Sequence, residues 1–170
     1  MVYSEPLGIF GGRAFSNWGY FSSIEEITIA EKLLRKENEK FRRLRNVKKI
    51  NIIEDSGEKS INADKFSGLP NLEEISYKPT YLGGSSFHSC HNLKFGSDYL
   101  DLSECIFYGE RCLQHSSITN LTVAAGTTIN RGAFSDTPLE AVYLPDIPIT
   151  LTNTSAFDNT STNLKFYVSS

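Results

Sequence analysis

Three imidazoles and two thiols crowd two short stretches of this 170-residue chain. Residues 87–93 read FHSCHNL and carry His88, Cys90 and His91; residues 109–115 read GERCLQH and carry Cys112 and His115. Thiolates and imidazoles are what zinc takes in a tetrahedral site. The same residue types can make a Cys–His nucleophile pair, which also needs an orienting third group and oxyanion donors. None of these five side chains is a carboxylate. Which of these side chains meet depends on the elements that carry them, and those elements recur.

Residues 61–77 read INADKFSGLPNLEEISY and residues 129–145 read INRGAFSDTPLEAVYLP. Both open on Ile-Asn, place a Phe five residues on or nearly so, and close on Leu-x-x-(Ile/Val)-x-apolar. Phe15, Phe41, Phe66, Phe87, Phe134 and Phe157 mark successive copies, and Cys112 falls where a seventh mark is due. The spacing of 21–26 residues is the period range of leucine-rich repeats. A second anchor keeps the phase: Ile24-x-x-Ile27-x-Ile29, Val47-x-x-Ile50-x-Ile52, Leu72-x-x-Ile75-x-Tyr77, Ile118-x-x-Leu121-x-Val123 and Leu139-x-x-Val142-x-Leu144, with Leu164, Phe166 and Val168 alternating in the last copy. Alternation is strand periodicity, with one face buried. One copy cannot bury that face alone, whereas stacked copies can. The expected fold is a repeat solenoid: a right-handed leucine-rich-repeat coil of about seven 21–26-residue repeats, with a parallel sheet of short strands, a spine of phenylalanines and a loop-rich opposite side. Residues 1–170 form a single domain on this reading, or a fragment of a longer protein.

Two copies depart from the pattern. In the fourth, Leu93 is followed by Gly96 and Asp98, so its strand should be bent, short or displaced into YLDLSECIFYG. In the second, EKLLRKENEKF is rich in helix formers and should turn helical.

INRGAFSDTPLEAVYLP, TSAFDNTSTNLKFYV and SSFHSCHNLKF together resemble the BspA-like (Treponema-type) leucine-rich repeat family over nearly the whole chain. The resemblance implies a binding or adhesion module of a cell surface or virion, with no catalytic residue to carry over. A structural subunit of a larger assembly, such as a phage particle, is the alternative it implies.

The register bears on the cluster. Cys90 stands three residues after Phe87, and His115 three after Cys112, so stacking would bring the two together. Trp18, Leu44 and Leu69 share that offset, which marks it as an inward, apolar position. Cys90 is therefore expected in the core, and no metal, cofactor or catalytic residue is expected. The third cysteine, Cys105, makes the count odd, and the chain has no disulfide framework.

A net charge of −3 gives no nucleic-acid signature. No apolar run is long enough to span a membrane, and residues 1–12 lack a signal-peptide pattern. Residues 32–49 hold nine Lys or Arg and two Glu, against eight basic and 18 acidic residues elsewhere. Lys40, Arg42, Arg43 and Arg45 are the candidate contacts there for a polyanionic partner; the alternative is a solvated face of the second copy. With Phe41, Leu44 and Val47 in the core, no aromatic is left to stack on bases.

The outward strand positions make the expected recognition face: Glu26 and Thr28, Lys49 and Asn51, Glu74 and Ser76, Asn120 and Thr122, Ala141 and Tyr143, Lys165 and Tyr167, with the ligand contacts expected from Glu74 onward. Tyrosine joins an apolar body to a hydroxyl, which suits a protein or glycan ligand. Solenoid ends need polar caps, and neither end of this sequence reads as one. A neighbouring subunit or domain is expected to pack there.

Overall fold

Each copy supplies too little apolar surface for a core of its own, and the copies solve this by coiling. The computed structural model describes residues 24–36, 41–42 and 44–168. The Leu-x-x-Ile-x-Ile anchor forms the rungs of the first face. There β1 (Glu26–Ala30), β2 (Lys49–Ile53) and β4 (Glu74–Ile75) pair in parallel, and β7 (Asn120–Thr122), β9 (Ala141–Leu144) and β11 (Lys165–Val168) do the same. The register sets Ile27 beside Ile50 and Ile50 beside Ile75, then Leu121 beside Val142 and Val142 beside Phe166. Those are the phases read from the sequence.

The opposite side is more regular than expected. Two-residue rungs β3 (Ser60–Ile61), β5 (Tyr81–Leu82), β6 (Phe107–Tyr108), β8 (Thr128–Ile129) and β10 (Thr150–Leu151) make a second, five-stranded parallel sheet. Ile61, Leu82, Tyr108 and Ile129 point inward from it and are fully buried. The Ile-Asn that opens the repeated phrase is this rung and its exit. The turn-rich side lies between the two sheets and carries the phenylalanines.

Those rings stack. Phe41 and Phe66 lie 5.5 Å apart, Phe66 and Phe87 5.2 Å, and Phe134 and Phe157 5.4 Å, centroid to centroid. These intervals match the spacing of adjacent strands, about 4.7–4.9 Å. The expected place of Cys112 in the column is corrected by the backbone. Phe66 N–H donates to Ser86, Phe87 to Cys112, Leu113 to Ala133 and Phe134 to Ala156. In each case the acceptor is the residue just before the next column member. Leu113, not Cys112, therefore stands in the spine between Phe87 and Phe134, and Cys112 is equivalent to Ser86, Ala133 and Ala156. Left-handed backbone at Ser85, Arg111 and Gly132, always two residues before the column, confirms the shift.

The two departures appear as expected. Residues Lys32–Arg35 form a short helix, α1, with Leu33 and Leu34 buried. It is clamped by Arg35, whose guanidinium meets Asp55 at 2.6 and 2.9 Å and the Glu58 carbonyl at 3.0 Å. Beside it Glu31 is fully buried, accepting from the Tyr77 hydroxyl and the Asp55 N–H, each at 2.6 Å. In the fourth copy no first-face strand forms. Residues 96–99 loop away from the ladder, and Leu100 returns to bridge Tyr77.

Candidate functional site

Side chains alternate across a strand, so the residues between the buried anchors stand on the surface. Tyr143 lies between Val142 and Leu144, and Tyr167 between Phe166 and Val168. The ladder sets them opposite each other, with Thr122 next in the row. Their rings stack at 5.0 Å and 16°, and the residues are 46% and 45% exposed. Two register positions away, on the same face, run Asn120, Ala141 and Lys165. Asn120 and Lys165 are exposed, but Ala141 is 8% exposed, too short to emerge between longer neighbours.

Glu74 and Ser76 belong to the other first-face sheet. Ser76 is exposed. Glu74 accepts from Lys94 at 2.9 Å, and that bond holds its carboxyl below the usual range. The expected single row is thus two groups, Glu74 with Ser76 and Asn120 with Thr122, Tyr143, Lys165 and Tyr167. The irregular fourth copy lies between them.

The Cys/His cluster comes apart. Cys90 is fully buried and its thiol donates to the Phe66 carbonyl at 3.1 Å. His115 sits two residues after Leu113, level with Ser89 and in the same left-handed conformation, so it turns outward. His88 and His115 meet edge to face at 5.6 Å, with His91 6.4 Å from His115. Burial, followed by the charges of His115, Arg111 and His91, pushes the His88 imidazole below its ordinary value. Among the described residues, no three His, Cys, Asp or Glu side chains are placed to share a metal.

Burial raises all three thiols: Cys90 and Cys105 to about 12, and Cys112 well above the ordinary value. A raised pKa lowers the thiolate fraction. At about pH 8, some four units below, roughly one Cys90 or Cys105 thiol in ten thousand is ionised. Iodoacetamide is expected to leave all three unmodified in the folded chain and to alkylate them after unfolding in guanidinium, as read by mass spectrometry. Rapid native labelling of Cys90 would put it at the surface.

In the basic segment, Arg42 and Arg45 are exposed, while Lys40 and Arg43 lie outside the described residues. Other cations there are matched by neighbouring coils: Lys48 meets Glu25 at 3.1 Å and Lys49 meets Glu26 at 4.0 Å.

The profile of the BspA type leucine-rich repeat region matches six copies in this sequence, over residues 3–94 and 97–165. The chain belongs to the BspA-type leucine-rich repeat family. The phenylalanine spacing counts seven copies, the first of which, around Phe15, lies outside the described residues. The two stretches matched by the BspA-type profile part just where the fourth copy leaves the ladder. Neither curated proteins nor solved structures match the chain. No helix among the described residues is long and apolar enough to cross a membrane.

Sequence reasoning missed the hollow beside the fourth copy. Gly96 and Asp98 at apolar positions were its signal: they foretell a lost strand, and a lost strand leaves space.

Proposed function

We propose that this chain is a non-enzymatic binding module that recognises a protein or glycan through the exposed first face. The observation that carries the reading is the stacked pair Tyr143–Tyr167, about half exposed and flanked by Asn120, Thr122 and Lys165. A few aromatic anchors usually dominate the cost of truncating an interface. Both rings stand on the face away from the spine. Tyr143→Ala and Tyr167→Ala are therefore each expected to move the Tm by no more than about 4 °C. The double variant should lose at least about tenfold in affinity for ligands found by glycan array or pull-down. A large stability loss in either single variant would make these side chains structural and move the binding face elsewhere.

One further observation favours a second reading, a structural subunit packing against a neighbour. In the last described coil Phe166 is 51% and Val168 69% exposed, although they continue the inward column of Val142 and Leu144. On this reading Phe166→Glu abolishes assembly in sedimentation, and reversing Lys40, Arg42, Arg43 and Arg45 weakens any salt-sensitive docking.

A further inference from the structure

The fourth copy fills its rung of the first face only on the side of β4, where Lys94 N–H donates to the Glu73 carbonyl, Tyr77 N–H to Tyr99 and Asp101 N–H to Tyr77; its side toward β7 is left unpaired. β4 ends one sheet and β7 ends the other. The chains begin side by side, the Ser117 hydroxyl donating to the Leu93 carbonyl. They then part, as the fourth copy turns away through Gly96 at φ 132°. The Thr119 carbonyl accepts from Ala141 N–H, and Val123 N–H donates to the Tyr143 carbonyl. By alternation along the strand, Asn120 and Thr122 send their peptide groups the other way, into the gap. No backbone group among the described residues pairs with them there.

Two openings adjoin this edge. A hollow of about 130 Å³, open to solvent on one side, has Phe95, Leu100, Leu102, Ile118 and Leu121 in its walls, with polar residues such as Asp101 and Ser103 between them. A closed apolar cavity of similar size takes up one benzene-sized group, so this open hollow has room for one aliphatic side chain. Next to it, a cleft of about 660 Å³ is lined by His91, Asn92, Lys94, Tyr99, Thr119 and Asn120. Lys94 is already matched by Glu73 at 3.5 Å and Glu74 at 2.9 Å, so the cleft offers no unmatched lysine to call for an anion.

We propose that this gap binds an extended peptide segment as an added strand on the free edge of β7, with one aliphatic side chain in the hollow and neutral polar neighbours in the cleft. Main-chain hydrogen bonds supply affinity in such strand addition, and side-chain pockets supply selectivity. The added strand continues the ladder that β9 and β11 already form on β7. A glycan lacks the alternating donors and acceptors, at strand spacing, that this edge presents. The proposal rests on the first face being a binding surface, and it names the ligand class.

The test is a titration of the ¹⁵N-labelled full chain with blocked pentapeptides, acetyl-Ser-Thr-X-Thr-Ser-amide, where X is Val, Ile, Leu or Gly. The amides of Gly96, Asn120 and Thr122 are expected to shift saturably with the aliphatic peptides. Binding should weaken about tenfold for Gly, which leaves the hollow empty, and vanish when alternate peptide nitrogens are methylated. Thr122→Pro removes one gap-facing donor at a position where an edge strand tolerates proline, and it should abolish the shifts. If that variant fails to fold, the methylated peptides decide. Absence of saturable shifts at these three amides overturns the proposal, as does a response to maltohexaose alone. Should ligand binding elsewhere still depend on Tyr143 and Tyr167, the binding-face reading stands and only the strand-addition site is lost.

Discussion

Phe134→Ala is expected to lower the unfolding free energy by about 3–5 kcal/mol, measured by urea denaturation. The ring is fully buried, 4.9 Å from Tyr108 and 5.4 Å from Phe157. Truncation removes its transfer energy and leaves a void between coils. The neighbours cannot easily close that void, because the turn backbone is tied on both sides: Leu113 N–H to the Ala133 carbonyl, and Phe134 N–H to Ala156. Stability in a solenoid is close to a sum of nearest-neighbour interfaces. A loss at this coil therefore weakens its contacts with the coils before and after it. The same change at Phe157, only partly buried in the last described coil, should cost less. A cost below about 1 kcal/mol at Phe134 would remove its ring from the spine.

The first face was legible because its signal is long. Six residues from Leu72 to Tyr77 carry three apolar anchors, and the same phase returns at Ile118 and Leu139. The strand registers Ile50–Ile75 and Leu121–Val142 follow from it. The second sheet was not legible in the same way. Its rungs are two residues long, too short to show any alternation; three of them have a single buried side chain, Leu82, Tyr108 or Ile129, while both residues of β3 are buried and both of β10 exposed. Only their place marks them: the second residue of β3, β5, β6 and β8 stands five residues before the column, and Leu151 of β10 six before Phe157. That regularity is visible only once Leu113 replaces Cys112 as the fifth mark.

The outward phase of Tyr143 and Tyr167 was readable from alternation, and their stacking follows from the ladder. The separation of Glu74 and Ser76 from the tyrosines has another origin. Gly96 and Asp98 supply no apolar side chain for a fourth rung, so the chain leaves the face and rejoins the fold at Leu100. A pattern of side chains reports where a strand can be. It does not report the width of the space left when one is missing, because that depends on how far β7 is held from β4 by the coils' other two sides.

The misread mark gives the sharpest test of the register. Leu113→Ala is expected to destabilise by about 2–5 kcal/mol, and Cys112→Ala by about 1 kcal/mol or less. Both side chains are fully buried, so burial alone does not separate them. Position in the coil does. Leu113 occupies the column between Phe87 and Phe134, where a truncation opens space that only an adjoining large side chain could fill. The ring of Tyr108, 4.9 Å from Phe134, is one such side chain, but its hydroxyl is tied to the Leu102 carbonyl at 3.3 Å. Cys112 occupies the position that Ala133 and Ala156 hold in the next two copies, so alanine there is already part of the repeat. Its thiol has only a long contact to the Ala133 carbonyl, 3.9 Å, to lose. Thermal unfolding of the two variants should therefore separate them clearly, Leu113→Ala melting far below Cys112→Ala. The opposite order would return Cys112 to the column, shift the turn ladder by one residue and place His115 back beside Cys90.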